Sequence, residues 1–302
     1  MKIDVLCVGA SAYDLTFVVD THPVADEKVF AQSLVSCGGG PAANAAVAVA
    51  RLGGTAVFSG YLGNDTFGNL HFQELQSEGV FTNWIARGSD PSPVSTIIAK
   101  PDGSRALIAY QGATTKLPAG SIDFSNLTPK VILFDGHEPH ISFPLAAWAK
   151  ENGIPTVLDA GSLHFGTEKL AAEVDYLVCS DKFARQFTGV QDGSLAMRKL
   201  SELAPVVVVT LGQRGLLWKR GEDAGRLPAF AVEAVDTTGA GDTFHGAFSW
   251  CIAQQKEWLD TLKFSSAAAA LCCTKIGARH GIPYHSKVMW LLEKDRMRNN
   301  AE

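Results

Sequence analysis

The strongest chemical signal in the chain is the segment Asp236-Thr237-Thr238-Gly239-Ala240-Gly241-Asp242. It follows the strand-like residues 230–235 and opens a predicted helix over residues 242–254. Gly239 and Gly241 allow a sharp turn, and the free amides at the start of a helix attract an anion. An anion site beside the Asp242 carboxylate suits phosphoryl transfer to a hydroxyl group, whose proton the carboxylate accepts. A glycine-containing helix cap without catalytic function explains the same residues equally well.

A second group of candidate ligand-binding residues lies near the N-terminus. The glycines Gly38-Gly39-Gly40 precede a predicted helix whose first turn contains Asn44. Consecutive glycines let a ligand approach the backbone, and an asparagine amide both donates and accepts hydrogen bonds. Asp14 follows the first predicted strand, at the sheet edge where open α/β folds bind ligands. Taken singly, these residues are more simply explained as a helix cap and a turn.

Two other nucleotide-binding motifs are absent from the sequence. No Gly-Lys-Ser or Gly-Lys-Thr occurs, which excludes a Walker-type phosphate loop. Phe244 stands where the dinucleotide fingerprint has its third glycine. The glycine turn therefore predicts an anion site of a different kind.

The elements that must position these residues alternate between strands and helices. Short β-branched runs predict buried parallel strands at residues 3–8, 131–134, 156–158, 176–178 and 206–210. Amphipathic or alanine-rich stretches predict helices at residues 41–52, 67–78, 143–151, 195–203, 242–254 and 259–274. Pro41 suits the first turn of its helix and Gly53 its end. The alternation favours an α/β fold with a mostly parallel sheet covered on both faces.

Two stretches without helical pattern interrupt this alternation. Residues 15–35 and 94–110 both read as extended, and the second resembles a hairpin with a Pro101-Asp102-Gly103 turn. Strands inserted in this way predict a small sheet that projects over one edge of the main sheet. A surface meander is the alternative interpretation.

Composition excludes several classes of protein. The 302 residues carry a formal net charge of −5, and no dense Lys/Arg run suits a nucleic-acid backbone. No apolar stretch reaches the roughly 18 residues of a membrane span. The first residues read as a buried strand, not as a signal peptide. The six cysteines lack metal-ligand spacing and suit buried thiols in a reducing compartment, so we expect a cytoplasmic protein.

Taken together, the motifs resemble those of the PfkB (ribokinase-like) carbohydrate kinase family over nearly the whole chain. The matching features, in order, are Asp14, Gly39-Gly40 with Asn44, Gly63-Asn64-Asp65 with Gly68, Thr210-Leu211-Gly212 with Gly215, the Asp236–Asp242 segment, and Thr274-Lys275-Ile276-Gly277-Ala278. The resemblance implies one domain over residues 1–302. It also implies an open αβα sandwich with a β lid formed by about residues 15–35 and 94–111.

The resemblance also implies roles for individual residues. Asp242 would be the general base, with an anion hole at Gly239, Ala240 and Gly241. Sugar-binding residues would be Asp14, Gly39, Gly40 and Asn44, with Lys28, Arg105 and His137 as further candidates. Nucleotide-binding residues would be Ser180, Thr210, Gly212, Gly215, Thr238, Gly241, Thr274 and Gly277. ATP would bind with Mg²⁺, and Asp236 is a candidate K⁺ ligand.

One departure from the family pattern concerns the metal. Many members carry Asn-x-x-Glu after the central strand, where this chain has Cys179-Ser180-Asp181-Lys182-Phe183. Ketohexokinase-like and sulfofructose-kinase-like members also lack the motif, so activity is not excluded. Asp159 and Asp181 are candidates to bind the water shell of Mg²⁺ instead. His137 stands where sulfofructose-kinase-like relatives have an arginine, which leaves fructose-like and other ketose substrates open.

Three functions follow as hypotheses. The first is ATP-dependent phosphorylation of a primary hydroxyl on a ketose or furanose. The second is a nucleoside kinase, for which Tyr13, Phe17, Phe30 and Tyr110 could supply an aromatic wall. The third is a catalytically weak sugar-binding protein, although such a protein would need no general base at Asp242. We also expect a homodimer formed through the lid.

Overall fold

The computed structural model of the protein describes residues 1–100, 105–111 and 114–299. The predicted Pro101-Asp102-Gly103 turn lies outside these residues. The described strands, numbered in chain order, are β1 Lys2–Val8, β2 Ala12–Val18, β3 Ser33–Gly39, β4 Ala56–Ser59, β5 Tyr61–Gly63, β6 Ala86–Gly88, β7 Val94–Ala99, β8 Arg105–Tyr110, β9 Thr128–Phe134, β10 Thr156–Ala160, β11 Tyr176–Ser180, β12 Val206–Thr210, β13 Leu216–Arg220 and β14 Asp223–Leu227.

The helices of the described residues are α1 Pro41–Arg51, α2 Thr66–Ser77, α3 Pro139–Glu151, α4 Phe165–Leu170, α5 Asp181–Thr188, α6 Gly193–Leu200, α7 Ala240–Ala253, α8 Trp258–Cys272, α9 Ala278–Gly281 and α10 His285–Asn299. Each of the six predicted helices is present, with ends shifted by a few residues. Pro41 occupies the first turn of α1, and Gly53 follows the helix with a φ of 90°. Among the described residues, no helix is long and apolar enough to cross a lipid bilayer.

The main sheet has the strand order β14-β13-β12-β11-β10-β9-β1-β4 in the described chain. The pairs from β4 to β12 are all parallel, which confirms the predicted mostly parallel sheet. The hairpin of β13 and β14 adds two antiparallel strands at one edge, which the sequence pattern did not predict. In β12, residues Val206 to Val209 are buried and Thr210 is half-buried, as expected of a strand covered on both faces.

Helices cover both faces of this sheet and form two hydrophobic cores. Alternate side chains of β1 separate the cores: Val5 and Cys7 contribute to one, Leu6 to the other. The first core contains residues of α1, α7 and α8, and the second contains residues of α3, α5 and α6. The structure is therefore the predicted αβα sandwich.

The predicted strand at residues 230–235 is wrong. The β13–β14 hairpin already extends the edge of the sheet, and the chain after β14 pairs with no strand in the described residues. Phe230 and Val232 pack against the first core instead. The amides of Val235 and Asp236 donate to the carbonyl of Cys273, at 2.9 and 3.2 Å. The apolar pattern reflected packing against the core and not sheet pairing.

The predicted lid is present as a separate sheet with the order β3-β2-β7-β8 in the described residues. Strands β2 and β7 run parallel, while β3 and β8 flank them antiparallel. The lid strands β2 and β3 extend beyond the predicted range 15–35, to Ala12 and Gly39. As a result, the three-glycine segment forms the end of a lid strand and the approach to helix α1.

Candidate active site

The glycine turn before α7 is held in place by Asp236. The Oδ1 atom of Asp236 accepts from the amide and hydroxyl of Thr238, at 2.8 and 2.6 Å. Its Oδ2 atom accepts from the amide of Gly277 at 2.8 Å, which ties the turn to the segment before α9. Gly239 has a φ of 78°, and a Cβ atom on it would lie 2.7 Å from the Cβ atom of Ala278. The turn therefore requires glycine at this position.

Helix α7 begins at Ala240 without a side-chain cap, so its first-turn amides lack a side-chain acceptor. The carbonyl of Gly239 accepts from the amide of Thr243 at 2.8 Å, which starts the helical ladder. The amide of Ala240 donates to the carbonyl of Thr237 at a long 3.3 Å, and amides at a helix start attract an anion. Gly239, Ala240 and Gly241 thus form a turn suited to hold a phosphoryl group.

Asp242 lies in the first turn of α7, partly exposed, and lines a pocket. The Nδ2 atom of Asn44 donates to Asp242 Oδ2 at 2.7 Å. Burial raises the pKa of the Asp242 carboxyl and the nearby Asp135 charge adds to the rise, whereas the Asn44 hydrogen bond, His245 and Arg105 oppose it. A raised pKa brings a carboxylate closer to the range useful for a general base.

The pocket has a volume of about 250 Å³ and lies between the lid and the carboxyl edge of the main sheet. Six of the predicted site residues line it: Asp14, Gly40, Asn44, His137, Thr238 and Asp242. Asp14 comes from lid strand β2, and burial raises the pKa of its carboxyl to about 6. Gly39 lies behind it, because a Cβ atom there would be 2.2 Å from Asp14 Oδ2. Lid and sheet therefore contribute polar groups to one cavity.

Two predicted basic residues, Lys28 and Arg105, do not line this pocket. Lys28 is exposed between β2 and β3, with its Nζ atom 4.9 Å from the centre of the Phe30 ring, and does not line the pocket. Arg105, at the start of β8, donates to the hydroxyl of Thr238 and lies 3.8 Å from Asp236 Oδ1. Its guanidinium therefore faces the anion turn.

Asp135, which follows β9, holds the backbone around the pocket, a role that was not predicted from the sequence. Its Oδ2 atom accepts from the amides of Ala10 and Ala42, at 2.7 and 3.1 Å, and its Oδ1 atom from the amide of His137 at 2.9 Å. These bonds tie the segment between β1 and β2 and the first turn of α1 to the segment after β9. Burial would lower the pKa of His137, but the Asp135 carboxylate outweighs it and raises that pKa. A buried aspartate at the carboxyl end of a parallel strand was the available signal.

The predicted nucleotide-binding residues lie beside the anion turn and the adjacent strand ends. Ser180 and Thr210 are register neighbours at the ends of β11 and β12. The Ser180 hydroxyl caps α5 and donates to Gly161 O at 2.9 Å, and the Thr210 hydroxyl donates to Cys179 O at 3.2 Å. Of the other predicted residues of this side, Thr238 and Gly241 belong to the anion turn, Gly212 and Gly215 bound a short 3₁₀ turn, and Thr274 and Gly277 follow α8.

The three candidate metal residues differ in their surroundings. Asp159, in β10, is buried, which raises the pKa of its carboxyl to about 6, and its Oδ2 atom lies 3.2 Å from the Nδ1 atom of the buried His245. Asp181 accepts from Arg185 at 2.9 Å and from Arg214 at 2.7 Å, and these hydrogen bonds lower its pKa although burial opposes them. Both Asp236 oxygens already accept hydrogen bonds. Asp159 is thus the best placed to accept a hydrogen bond from a metal-bound water.

The fold is an open αβα sandwich with a β lid, and under that lid a glycine turn lies beside a carboxylate. These features place the protein in the ribokinase-like class. The chain matches the pfkB family carbohydrate kinase over residues 2–284, and it belongs to that family.

Curated relatives and solved structures agree with this assignment. The ribokinase of Bacillus subtilis (strain 168) is 28% identical over 294 residues, which cover 96% of this chain and 99% of that protein. A ribokinase structure from Thermotoga maritima has a TM-score of 0.86 and 28% identity, covering 96% of this chain and 99% of that one. The structure of Arabidopsis thaliana ribokinase complexed with ribose and ATP has a TM-score of 0.84 and 27% identity, covering 97% and 99%.

Proposed function

We propose that this protein transfers the γ-phosphoryl group of ATP to a primary hydroxyl of a small sugar, a furanose or ketose. The observation that carries the proposal is the Asp242 carboxylate, set in the first turn of α7 beside the anion turn at Gly239. The similarity to a ribokinase solved with ribose and ATP supports the same substrates here. Asp14 and Asn44 supply polar groups for the hydroxyls of the sugar in the same pocket.

The reaction divides between a proton acceptor and an anion site. Asp242 accepts the proton of the sugar hydroxyl as its oxygen forms a bond to the γ-phosphorus, while the bond to the bridging oxygen of ADP breaks. The amides of Gly239, Ala240 and Gly241 stabilise the negative charge of the transferred group. Arg105 faces the same turn from the lid and adds a positive charge.

Mg²⁺ would enter this site with ATP and neutralise phosphate charge. The described residues contain no cluster of three or more His, Cys, Asp or Glu side chains suited to hold a metal alone. Asp159, which contacts His245 at 3.2 Å and no arginine among the described residues, would accept from a water of the bound metal. For K⁺ the fit is poor, because both Asp236 oxygens accept hydrogen bonds and Arg105 lies beside them, so no step involves that ion.

The aromatic residues bear on the nucleoside-kinase alternative. Of the four predicted wall residues, Tyr110 lines the pocket described here, whereas Tyr13 stacks on Phe67 with ring centres 5.2 Å apart. Phe30 is 80% exposed on the lid. Since most of the wall is absent from the pocket, a sugar suits the site better than a nucleoside.

The first experiment is an ADP-release assay with ATP and Mg²⁺ against ribose, fructose, sulfofructose, tagatose phosphate and adenosine. We expect turnover with one of the sugars and none with the Asp242→Asn variant. Turnover with adenosine alone would replace the proposal by the nucleoside alternative. ATP binding without turnover on any compound would favour a sugar-binding protein instead.

The protein is also proposed to act in the cytoplasm and as a homodimer. All six cysteines are free thiols, and five of them are buried, which suits a reducing compartment. Lid strand β8 lies at the edge of its sheet, and its Ile108 side chain is 65% exposed. An exposed apolar edge strand favours pairing with a second copy.

A further inference from the structure

Arg279, in the short helix α9, carries one of the most deeply buried charges in the molecule. The whole Arg279 residue is 1% exposed. The Nε and Nη2 atoms both donate to Asn44 Oδ1 at 3.2 Å, and Nη2 also lies 3.2 Å from His71 Nε2. Nη1 lies 3.5 Å from Glu74 Oε1. Burying a guanidinium is costly unless hydrogen-bonding or charged partners surround it, so these contacts offset the cost of burying Arg279.

The contact with Asn44 determines which way the Asn44 amide points. A guanidinium has donors and no acceptor, so the Asn44 oxygen must face Arg279. The Nδ2 group is then on the other side, where it donates to Asp242 Oδ2 at 2.7 Å. A reversed amide would place donor against donor at Arg279 and oxygen against carboxylate at Asp242. Arg279 thus sets the direction of the hydrogen bond that Asp242 receives.

The remaining contacts of Arg279 hold the guanidinium itself. Burial and the Arg279 charge keep the pKa of His71 well below its ordinary value, so its Nε2 atom accepts from Arg279. Glu74, whose side chain is 23% exposed, balances the charge and accepts from the Gly38 amide at 2.6 Å. Arg51, the last residue of α1, donates to the carbonyl of Arg279 at 2.7 Å and holds α9 against the end of α1. The guanidinium therefore connects α9, α1, α2 and the end of lid strand β3.

We propose that Arg279 is a positioning residue for phosphoryl transfer, which acts through the Asn44 amide to orient the Asp242 carboxylate. The inference rests on the proposed function, because it assumes that Asp242 is the general base. It does not require Arg279 to touch either substrate.

The test is a double-mutant cycle between Arg279 and Asn44, with kcat and KM measured on the best sugar. Arg279→Met keeps the apolar stem and removes the donors, and we expect kcat to fall about tenfold or more, with KM for ATP within about twofold. In the Asn44→Leu background, Arg279→Met should lower kcat by less than about twofold, because the intermediate amide is already gone. Equal fold-losses in both backgrounds would overturn the proposal.

Two further variants separate positioning from folding. Arg279→Lys keeps a charged donor near Asn44 Oδ1, and we expect it to recover part of the kcat lost in Arg279→Met. If Arg279→Met does not fold, Arg279→Lys replaces it in the cycle with Asn44→Leu. Glu74→Gln removes the balancing charge without touching Asn44, so it should lower the melting temperature and keep kcat within about threefold. A lowered melting temperature in Arg279→Met with kcat within about twofold of the wild-type value would assign Arg279 a purely structural role.

The two proposals fail in distinguishable ways. Absence of turnover by the wild-type protein on every sugar would remove the proposed function and leave the cycle without a signal. An active wild-type protein with an additive cycle would remove only the role of Arg279.

Discussion

At the scale of single residues, the chemistry depends on Asp242 having an acceptor oxygen in the correct place and ionisation state. The hydrogen bond from Asn44 fixes one carboxylate oxygen, and in the proposed reaction the other would accept the proton of a substrate hydroxyl. The Asp135 carboxylate plays a different part, because it accepts from the backbone amides of Ala10, after β1, and Ala42, in the first turn of α1. In the proposed reaction Asp242 would accept a proton, whereas Asp135 holds the backbone around the pocket.

Replacing Asp242 by asparagine should abolish most turnover without loss of nucleotide affinity. The amide keeps the shape of the side chain but cannot accept the hydroxyl proton, so we expect kcat to fall about 10²- to 10⁴-fold. Steady-state kinetics gives kcat, and calorimetric titration with ATP gives the nucleotide Kd. Near-normal turnover in this variant would remove Asp242 from the role of base.

As the pH is lowered, kcat/KM should begin to fall at a higher pH than the ordinary pKa of an aspartate would predict. Burial raises the pKa of Asp242 above its ordinary value and that of Asp14 to about 6. Since the base must be ionised, kcat/KM falls as pH falls through the raised pKa of Asp242, and it is restored as pH rises. In the Asp14→Asn variant, the fall of kcat/KM at low pH should reflect the protonation of Asp242 alone. A fall near pH 4, about where an ordinary aspartate titrates, would contradict this prediction.

At the scale of elements, the start of α7 combines two glycines with different constraints. Gly239 has a positive φ and faces Ala278, whereas a Cβ atom on Gly241 would meet no atom within 4 Å. The short connection from α8 to α9 supports the turn through Gly277, which donates to Asp236. The anion site therefore depends on two chain segments that meet at Asp236.

Gly239→Ala should destabilise this turn, and Gly241→Ala is its matched control. The left-handed conformation and the 2.7 Å approach to Ala278 predict a loss of about 1–3 kcal/mol in the free energy of unfolding for Gly239→Ala. Thermal or urea unfolding measures it, with kcat recorded in parallel. Gly241→Ala should unfold like the wild-type protein. Equal stability of all three proteins would show that the turn is not under this constraint.

At the scale of the whole molecule, the lid closes the sugar pocket from one side and presents apolar side chains on the other. Along β8, Leu107 lines the pocket, while Ile108 is exposed. Lid strands contribute Asp14 and Arg105 to the site, so the position of the lid affects both substrates. A second copy that covers β8 would stabilise this position.

Ile108→Lys should therefore convert a dimer into a monomer. A charge placed in an apolar contact is costly, so sedimentation velocity should show two chains for the wild-type protein and one for the variant. Leu195→Lys, at a half-exposed site on α6, is the control and should leave the dimer intact. A wild-type protein that sediments as one chain at working concentration would refute dimerisation through the lid.

The sequence by itself was sufficient for the parts of this protein that are local along the chain. Apolar β-branched runs such as Val206–Thr210 determine buried strands, and the glycines around Asp236 determine a turn that opens a helix. The helix-free stretches favoured a lid of inserted strands over a surface meander, and the four-stranded sheet of the described residues confirms the strands. The pattern at residues 230–235 was misleading, since apolar packing and sheet pairing leave the same signature.

Only the tertiary structure decided which distant residues meet. Asn44 and Asp242 are 198 positions apart, and Arg279 and Asn44 are 235 apart, so no spacing in the sequence connects them. The same holds for Asp135, which binds the amides of Ala10 and Ala42, and for Lys28, which the lid loop carries away from the pocket. Backbone conformation follows from neighbouring residues, whereas the partners of a buried polar group depend on how the elements pack.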